Sequence, residues 1–264
     1  YQKGKAILSG TIANYHPNDN LIFKIGAPNI VMGTAETLYP TVESDGSFTI
    51  NIPLYHHTQV RMMIGNADLV ILLSPEKETN VAINLSNPPG KQFVFSGQYA
   101  TINNEWCQPE LITKIPPVYS DGDLLDSIVG ISANEFKKRC INQYKRYVTH
   151  NSAQLQFSED TRTLANLSCA FDCLENLQAT HYCLQTAYQK KENITREQAF
   201  AAFLDVYLPD DFHNYLKDFP VNHPLALYCY NYRNVVMDLY DTHKDPLAYE
   251  KNLLKNARKR ANGT

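Results

Sequence analysis

Apolar and polar residues alternate along short segments of the first hundred positions. Ala6, Leu8 and Ile12 fall on one face of an extended segment, and Ser9 and Thr11 fall on the other. This period of two predicts a strand with one buried face. Alternation, or a short apolar run bounded by turn residues, predicts strands at residues 6–12, 21–25, 41–43, 48–52, 59–64, 68–73, 79–85 and 92–95.

Turn residues separate the predicted strands and indicate how they connect. Asp45-Gly46 and Gly65-Asn66 each lie between two extended segments. Glycine accepts a positive φ at little cost, so an Asp-Gly pair in this position favours a hairpin. Short strands at close spacing with turn residues between them are typical of an antiparallel β-sandwich.

After Gly97 the apolar positions follow a helical period instead. Ser132 and Glu135 form a capping box, in which each side chain can bond a free amide of the first turn. In the segment 158–191, Leu167, Leu174 and Leu184 recur on one helical face. The predicted helices are residues 101–112, 132–148, 158–191, 195–207, 224–241 and 245–261.

The two patterns together predict the fold class α+β. An N-terminal antiparallel β-sandwich domain is expected at residues 1–100, followed by an all-helical domain at residues 101–264. The formal net charge is −3, and hydrophobic residues make up 44% of the chain. A full-sized core can therefore be built, and no basic excess indicates nucleic acid as a partner.

No run of apolar residues approaches the roughly 20 that a membrane-spanning helix needs. The chain begins at Tyr1 rather than at methionine. We therefore expect that an upstream targeting segment has been removed and that the protein is exported.

The six cysteines all lie in the predicted helical domain, and none belongs to a C-x-x-C pair. We expect most of them to be reduced and buried, because a chain of this size does not need disulfides to fold. A disulfide between Cys169 and Cys173 is disfavoured, because residues one helical turn apart meet the required geometry badly. A longer-range pair among the six stays open. The cysteines are Cys107, Cys140, Cys169, Cys173, Cys183 and Cys229.

The ionisable residues do not form a complete catalytic or metal-binding motif. His56 and His57 are adjacent, so in a strand they would point to opposite faces and could not share a ligand. Cys169, Cys173, His181 and Cys183 include the ligand types of zinc, but Cys183 projects away from the other three on a helix. Neither a serine-hydrolase elbow nor a phosphate-binding glycine loop occurs. No catalytic, cofactor-binding or metal-binding residue is predicted.

Aromatic residues are frequent in the last third of the chain. Such residues suit a helical core and its rim, and they can also form a platform for a sugar or a peptide. Packing in the core and rim is the favoured interpretation. The residues concerned are Phe212, Phe219, Tyr228, Tyr230, Tyr232, Tyr240 and Tyr249.

Five short motifs follow one another in the first part of the chain. In order, they are Gly10-Thr11-Ile12, Asp45-Gly46-Ser47-Phe48, Ile52-Pro53-Leu54, Leu72-Leu73-Ser74-Pro75-Glu76 and Phe95-Ser96-Gly97-Gln98-Tyr99-Ala100-Thr101-Ile102-Asn103. In this order they resemble the N-terminal accessory region of exported thioredoxin-like (TlpA-like) thiol–disulfide oxidoreductases of gut Gram-negative bacteria. The resemblance covers residues 5–105 and, more loosely, the helical part. It departs from the family in the fourth motif, where Leu73-Ser74-Pro75-Glu76 lacks a glycine.

The resemblance implies a lipoprotein-type signal, a β-sandwich, a helical segment and then a thioredoxin domain with W-C-x-x-C. Trp106-Cys107 is not followed by a second cysteine at the right distance, so no redox residue carries over. The basic segment before Thr264 is expected to lead into a thioredoxin domain outside this chain. The implied location is the periplasm or the membrane-anchored cell envelope.

The resemblance further implies a non-catalytic accessory region that positions or dimerises the redox domain, or contacts its substrate. Its partners would be the C-terminal thioredoxin domain of the same polypeptide, protein substrates or a homodimer partner. The alternative is a stand-alone envelope lipoprotein that binds a glycan or a protein partner. An enzyme with a site in the helical region is a third hypothesis, which no cluster of carboxylates or histidines supports.

Overall fold

The computed structural model describes residues 4–29, 34–108, 122–151, 156–203, 208, 212–229 and 231–244. The strands are β1 (Gly4–Ile12), β2 (Phe23–Asn29), β3 (Thr34–Leu38), β4 (Ser47–Leu54), β5 (Thr58–Ile64), β6 (Ala67–Leu73), β7 (Glu78–Ile83) and β8 (Phe93–Gly97). The α-helices are α1 (Ala100–Trp106), α2 (Gly122–Ser127), α3 (Ala133–Arg146), α4 (Glu159–Gln178), α5 (Thr180–Glu192), α6 (Arg196–Phe203) and α7 (Tyr232–Lys244). A π-helical turn covers Tyr147–Asn151, and 3₁₀ helices cover Phe212–Asp218 and Pro224–Tyr228.

The fold is mixed α+β, with the described strands before residue 98 and the described helices after it. The strands form two four-stranded sheets, in the orders β4-β1-β7-β8 and β3-β2-β5-β6. Neighbouring strands are antiparallel, except that β1 and β7 are parallel. An all-antiparallel arrangement was expected. The parallel pair arises because the chain crosses from β6, in one sheet, to β7, in the other, rather than turning back in a hairpin.

Both sheets contribute to one apolar core. The buried faces of β1, β2 and β4 to β8 supply its side chains, and β3 supplies only the partly buried Leu38. Phe23 of β2 and Phe48 of β4 meet edge to face with ring centroids 4.9 Å apart. Along β1 every second residue is buried, from Gly4 to Ile12, as the period of two predicted.

The predicted strands agree with the structure except at residues 34–43. The hairpin at Gly65-Asn66 is confirmed, and it joins β5 to β6. The Asp45-Gly46 turn also forms, with Gly46 donating to the carbonyl of Glu43. The segment before it is not a strand, because only Val42 makes a bridge, to Phe48. The fourth strand of the second sheet is instead β3, which pairs with β2.

Two asparagine side chains attach helix α1 to one edge strand of each sheet, β6 and β8. The Oδ1 of Asn103 accepts from the amide of Leu72 at 2.7 Å, and its Nδ2 donates to the carbonyl of Leu72 at 3.1 Å. Asn104 makes the same pair of bonds with Phe95, at 2.7 and 2.9 Å. Each side-chain amide thus bonds its target residue as a neighbouring strand would. This arrangement fixes α1 on β6 and β8.

The end of α1 is joined to the start of α4 by a carboxylate. Glu105 accepts from the amide of Ser158 at 3.0 Å and from its hydroxyl at 2.6 Å. The hydroxyl of Thr161 donates to the same carboxylate. Burial alone would raise the pKa of Glu105, but the bonds from Ser158 and Thr161 hold the pKa below its usual value. An anion at a helix N-terminus is stabilised by the free amides there.

The helical part packs around α5, which contacts α2, α3 and α6. Fully or nearly fully buried aromatic residues of this part include Phe136, Phe171 and Phe212. Tyr144 of α3 stacks on Phe219 with centroids 4.9 Å apart. Helix α3 begins as predicted, because Ser132 accepts from the amide of Glu135 at 3.2 Å.

The other half of the predicted capping box is absent. The carboxylate of Glu135 turns to Arg139 instead, where an ion pair of 3.1 Å competes for it. The second part of the chain holds a complete box that the sequence analysis missed. The amide of Thr195 donates to Gln198 at 2.9 Å, and the amide of Gln198 donates to the Thr195 hydroxyl at 3.3 Å.

Two predicted helices are interrupted. The segment 158–191 divides into α4 and α5 at Ala179, where the Thr180 hydroxyl bonds the carbonyl of Leu177 at 2.6 Å and competes with the helical ladder. The segment 224–241 divides at Cys229, whose backbone is extended at φ −73° and ψ 134°. The helix predicted at residues 245–261, the end of the one at 101–112 and the end of the one at 195–207 lie outside the described residues.

The chain forms two compact units, each built from three segments. We call Tyr1–Ile115, Val148–Ser168 and Asn222–Arg233 the strand unit, and Pro116–Tyr147, Cys169–Val221 and Asn234–Thr264 the helical unit. The division into domains 1–100 and 101–264 stays a prediction.

Candidate functional site

Three aromatic side chains of the strand unit meet at one end of β5. His57 lies in the turn between β4 and β5, Tyr99 lies between β8 and α1, and Tyr228 ends the 3₁₀ helix Pro224–Tyr228. The ring centroids are 5.9 Å apart for His57 and Tyr99, 5.3 Å for His57 and Tyr228, and 6.4 Å for Tyr99 and Tyr228. All three side chains are half-buried. We call these three residues the aromatic cluster.

The local fold positions each member of the cluster. Tyr99 has a positive φ of 59°, which is uncommon for a bulky residue, and it directly precedes the helix that Asn103 and Asn104 fasten. His223 caps the 3₁₀ helix of Tyr228 by accepting from the amide of Leu225 at 3.2 Å. The cluster is therefore held by structured backbone on all three sides.

A polar contact links two of the three rings. The Nδ1 of His57 and the hydroxyl of Tyr99 share a hydrogen bond. Tyr228 joins the cluster through its ring contacts with these two residues. His56 does not take part through its ring, because its Nδ1 lies against the backbone carbonyl of His57. The two histidines thus have different hydrogen-bonding environments.

Burial favours the uncharged forms of two members of the cluster. Burial, and secondarily the neighbouring His56, lowers the pKa of His57. Burial and the neighbouring Tyr228 raise the pKa of Tyr99 to about 12. The cluster thus offers aromatic faces and hydrogen-bonding groups, and burial disfavours a charge on His57 and on Tyr99. Such a surface suits hydroxyl-bearing ligands better than ionic ones.

Sequence reasoning missed this cluster as a site. From sequence alone, His56 and His57 are not expected to share a ligand, Tyr228 is expected in the core or rim, and Tyr99 is only part of a motif. No local pattern links residues so far apart in the chain, so only the tertiary fold brings them together. One weak sequence signal for the cluster is Tyr99, an aromatic residue that directly follows Gly97-Gln98 and precedes a helix.

The remaining aromatic residues of the last third have mixed environments. Phe212 and Phe219 are buried, as predicted for core residues. Tyr232 is half-buried, and Tyr240 is 57% exposed. Tyr230 and Tyr249 lie outside the described residues. Within the described part of this set, the two phenylalanines therefore lie in the core, whereas the tyrosines are half-buried or exposed.

The six cysteines are free and buried, so the predicted burial is confirmed. Burial raises the pKa of Cys107 to about 12 and that of Cys183 to about 11. These two side chains are therefore neutral thiols at neutral pH, and a neutral thiol is a poor nucleophile. Cys107 belongs to the core of the two sheets, while the adjacent Trp106 packs with Phe157 against Ala165.

Cys183 is buried, as expected of the cysteines. Its side chain is only 3% exposed, because α5 is covered by other helices on more than one side. Within the described residues, no three His, Cys, Asp or Glu side chains are arranged to hold a metal ion. None of the described helices combines the length and apolar content that crossing a bilayer requires.

The motif Phe95-Ser96-Gly97-Gln98-Tyr99-Ala100-Thr101-Ile102-Asn103 forms the joint between β8 and α1. Phe95 is 3% exposed in the core, and Asn103 is fully buried. Gly97 has a φ of 84°, and a Cβ there would lie 2.8 Å from the carbonyl oxygen of Glu78. Packing, hydrogen bonding and backbone conformation thus explain the residue types at Phe95, Asn103 and Gly97.

No model of a known protein family matches this chain, and no curated protein matches it either. A solved structure, that of a putative cell adhesion protein from Bacteroides ovatus, is similar over 36% of this chain and 43% of the other chain. The sequences are 13% identical there, and the TM-score is 0.23. The match spans less than half of that protein, and a similarity at this level carries no argument about fold or function.

Proposed function

We propose that this chain is the non-catalytic accessory region of a cell-envelope thiol–disulfide oxidoreductase of the TlpA-like kind. It would position or dimerise a thioredoxin domain, or contact that domain's substrate. The observation that carries the proposal is the joint at Gly97, Asn103 and Asn104. Residues of the resembling motif are used there to fasten a helix to two sheets.

The shared core supports a β-sandwich as the architecture of this region. Phe23 and Phe48 come from different sheets and touch, and the buried faces of both sheets supply one apolar cluster. Two sheets that share a core in this way pack face to face in sandwich folds. The sandwich followed by helices is the order that the resemblance implies.

The state of the thiols supports a non-catalytic role. The cysteines are buried, and the pKa is raised at Cys107 and Cys183 by that burial. A redox nucleophile needs an accessible thiol whose pKa is lowered, commonly at a helix N-terminus. In this proposal the thioredoxin domain carries out the thiol–disulfide exchange. The same resemblance implies export to the periplasm or anchoring in the cell envelope as a lipoprotein.

The first test is the gene. Reading it beyond the codon for Thr264 should show an in-frame W-C-x-x-C followed by the rest of a thioredoxin domain. A stop codon directly after that position would overturn the proposal.

The second test is enzymatic. Insulin reduction by dithiothreitol should be accelerated by the full gene product and not by residues 1–264 alone. Acceleration by residues 1–264 that is lost when their own cysteines are changed to alanine would assign the chemistry to this chain instead.

The aromatic cluster favours a second candidate function, namely an envelope protein that binds a glycan. His57, Tyr99 and Tyr228 present hydrogen-bonding groups beside partly exposed rings. Sugars bind such surfaces through stacking and through their hydroxyl groups. This function does not require a thioredoxin domain.

A panel of immobilised neutral oligosaccharides tests the second candidate. Binding by the whole chain should be lost in Tyr228→Ala and kept in Tyr240→Ala, a matched change at an exposed tyrosine outside the cluster. No binding to any member of the panel, or equal binding by both variants, would remove this candidate.

A further inference from the structure

Strand β3 is an edge strand, and its outer side is unpaired within the described residues. The order of its sheet is β3-β2-β5-β6, so β3 pairs with β2 on one side only. Four of its five residues, at positions 34–37, are exposed. An edge of this kind presents backbone amides and carbonyls with which another extended chain can pair.

The other three edge strands are each obstructed. Side chains of α1 bond the backbone of β6 and of β8, at Leu72 and at Phe95. Strand β4 is bridged near its start, where Val42 pairs with Phe48, and Pro53 near its end has no amide to donate. Among the described residues, no such obstruction lies along β3.

The hydrogen bonds of β2 show which of its residues face β3. The amide of Gly65 donates to the carbonyl of Ile22, in register with the ladder between β2 and β5. The backbone groups of Ile22 therefore face β5. Because these groups point alternately to the two sides of a strand, the even-numbered residues of β2 face β5 and the odd-numbered ones face β3.

The same alternation assigns the free groups of β3. Glu36 lies opposite Ala27 of β2, so its backbone groups face β2. The backbone groups of Ala35 and Thr37 consequently face outward. An added antiparallel strand would bond these two residues and would place its own middle residue opposite Glu36. Residues opposite each other between two hydrogen-bonded pairs have Cα atoms about 4.5 Å apart, so their side chains are close.

The charge of Glu36 selects the kind of strand that fits. A second copy of β3 in full overlap would place Glu36 opposite itself, and like charges directly opposite each other destabilise a sheet. A shift by two residues would avoid this, but it would keep only one hydrogen-bonded pair of residues within β3. A strand with a lysine or an arginine at the middle position gains a pair of opposite charges instead. Charge complementarity therefore favours a basic strand of another protein.

We propose that the outer edge of β3 binds an extended segment of another protein, which adds antiparallel as a fifth strand and carries a lysine or an arginine opposite Glu36. The outward amides and carbonyls of Ala35 and Thr37 provide the backbone hydrogen bonds, and Glu36 provides the specificity. This surface goes beyond the proposed function, because it needs neither a thioredoxin domain nor a glycan.

Peptide binding by the whole chain tests the proposal. The probe is the fluorescently labelled peptide Thr-Val-Thr-Lys-Thr-Val-Thr, and a second probe has glutamate in place of the lysine. Fluorescence anisotropy should show that the lysine probe binds roughly tenfold more tightly than the glutamate probe. Glu36→Lys should reverse this preference, while Glu43→Lys, a matched change at an exposed carboxylate outside β3, should keep it.

The backbone hydrogen bonds are tested separately. N-methylation of the third and fifth residues of the lysine probe removes the amides that face β3 and should abolish binding. N-methylation of the second and sixth residues, whose amides face away, should not. Thr37→Pro removes one outward amide of the chain and should weaken binding about tenfold.

No binding of either probe, equal binding of both, an unchanged preference in Glu36→Lys or equal effects of the two methylation patterns would overturn the proposal. The methylated probes use the unmodified chain, so their result stands by itself if Thr37→Pro does not fold.

Discussion

The strand unit and the helical unit are stabilised by different kinds of buried contact. In the strand unit, the buried polar groups of the joint at α1 have identified partners, as with Asn103 and the backbone of Leu72. In the helical unit, small thiols fill the interior, and the buried hydroxyl of Tyr147 has no hydrogen-bond partner in the structure. The joint at α1 thus depends on directional bonds at a few positions, whereas the thiol-containing interior around α5 depends on shape and volume.

This difference predicts how each unit responds to substitution. A directional bond is lost completely when one partner is removed, and a buried partner that is left unsatisfied costs additional free energy. Packing of small apolar groups is lost by degrees, because neighbours relax toward the gap. Single changes at the joint should therefore cost more than changes of similar size in the thiol-rich interior.

Asn103→Ala should have the largest effect. It leaves the amide and the carbonyl of the buried Leu72 unsatisfied, so the free energy of unfolding should fall by about 3 kcal/mol. The matched control is Asn104→Ala, which frees the same groups of Phe95 at a half-buried site and should cost about 1 kcal/mol. Urea unfolding followed by circular dichroism measures both. Equal losses would mean that burial does not decide the strength of this joint.

Gly97→Ala should come next. The Cβ would lie 2.8 Å from the carbonyl oxygen of Glu78 at a φ of 84°, so we expect a loss of about 2 kcal/mol. Gly130 supplies a control in the helical unit, since its φ is 75° and no atom lies within 4 Å of its added Cβ. Gly130→Ala should cost about 1 kcal/mol, from the backbone alone. A larger loss at Gly130, again by urea unfolding, would contradict the comparison.

Cys183→Ala tests the tolerance of the helical interior. It removes one sulfur from a buried site, and we expect a loss of about 1 kcal/mol under reducing conditions. Cys183→Ser keeps the size of the side chain but buries a hydroxyl, so it should cost more, about 2 kcal/mol. If serine were tolerated better than alanine in thermal unfolding, the interior around α5 would have to be polar.

The pH dependence of His57 should be the smallest effect. Because burial lowers its pKa in the folded state, the unfolded chain binds the proton more readily below pH 6.5. Its contribution to stability is therefore present above about pH 6.5 and is lost as the pH falls toward the lower, folded value. The Tm of His57→Gln should fall less than that of the unmodified protein between pH 7.5 and 5.5. His16→Gln, at an exposed histidine, should follow the unmodified protein.

The sequence predicted local features of the fold and missed the features that depend on distant partners. The alternation in β1 and the turn at Gly65 are local, and both predictions were confirmed. Strand β3 is mostly exposed and has no alternating pattern, so only its pairing with β2 makes it a strand. The parallel pairing of β1 with β7 has no local signature either.

The candidate site could not be predicted for the same reason. The sequence shows that a histidine and a tyrosine are present at positions 57 and 228. Their contact, however, depends on the 3₁₀ helix Pro224–Tyr228. The sequence pattern favoured one continuous helix through that region. The extended backbone at Cys229 ends that helix early, and no composition signal indicated it.

The two asparagines on α1 also bear on self-association. An uncovered strand at the rim of a sheet is a template on which another polypeptide can add a strand and begin an aggregate. Asn103 and Asn104 occupy backbone groups of β6 and β8 that such an intruder would need. A short helix with two amide side chains thus withholds backbone groups of one edge strand in each sheet from such pairing.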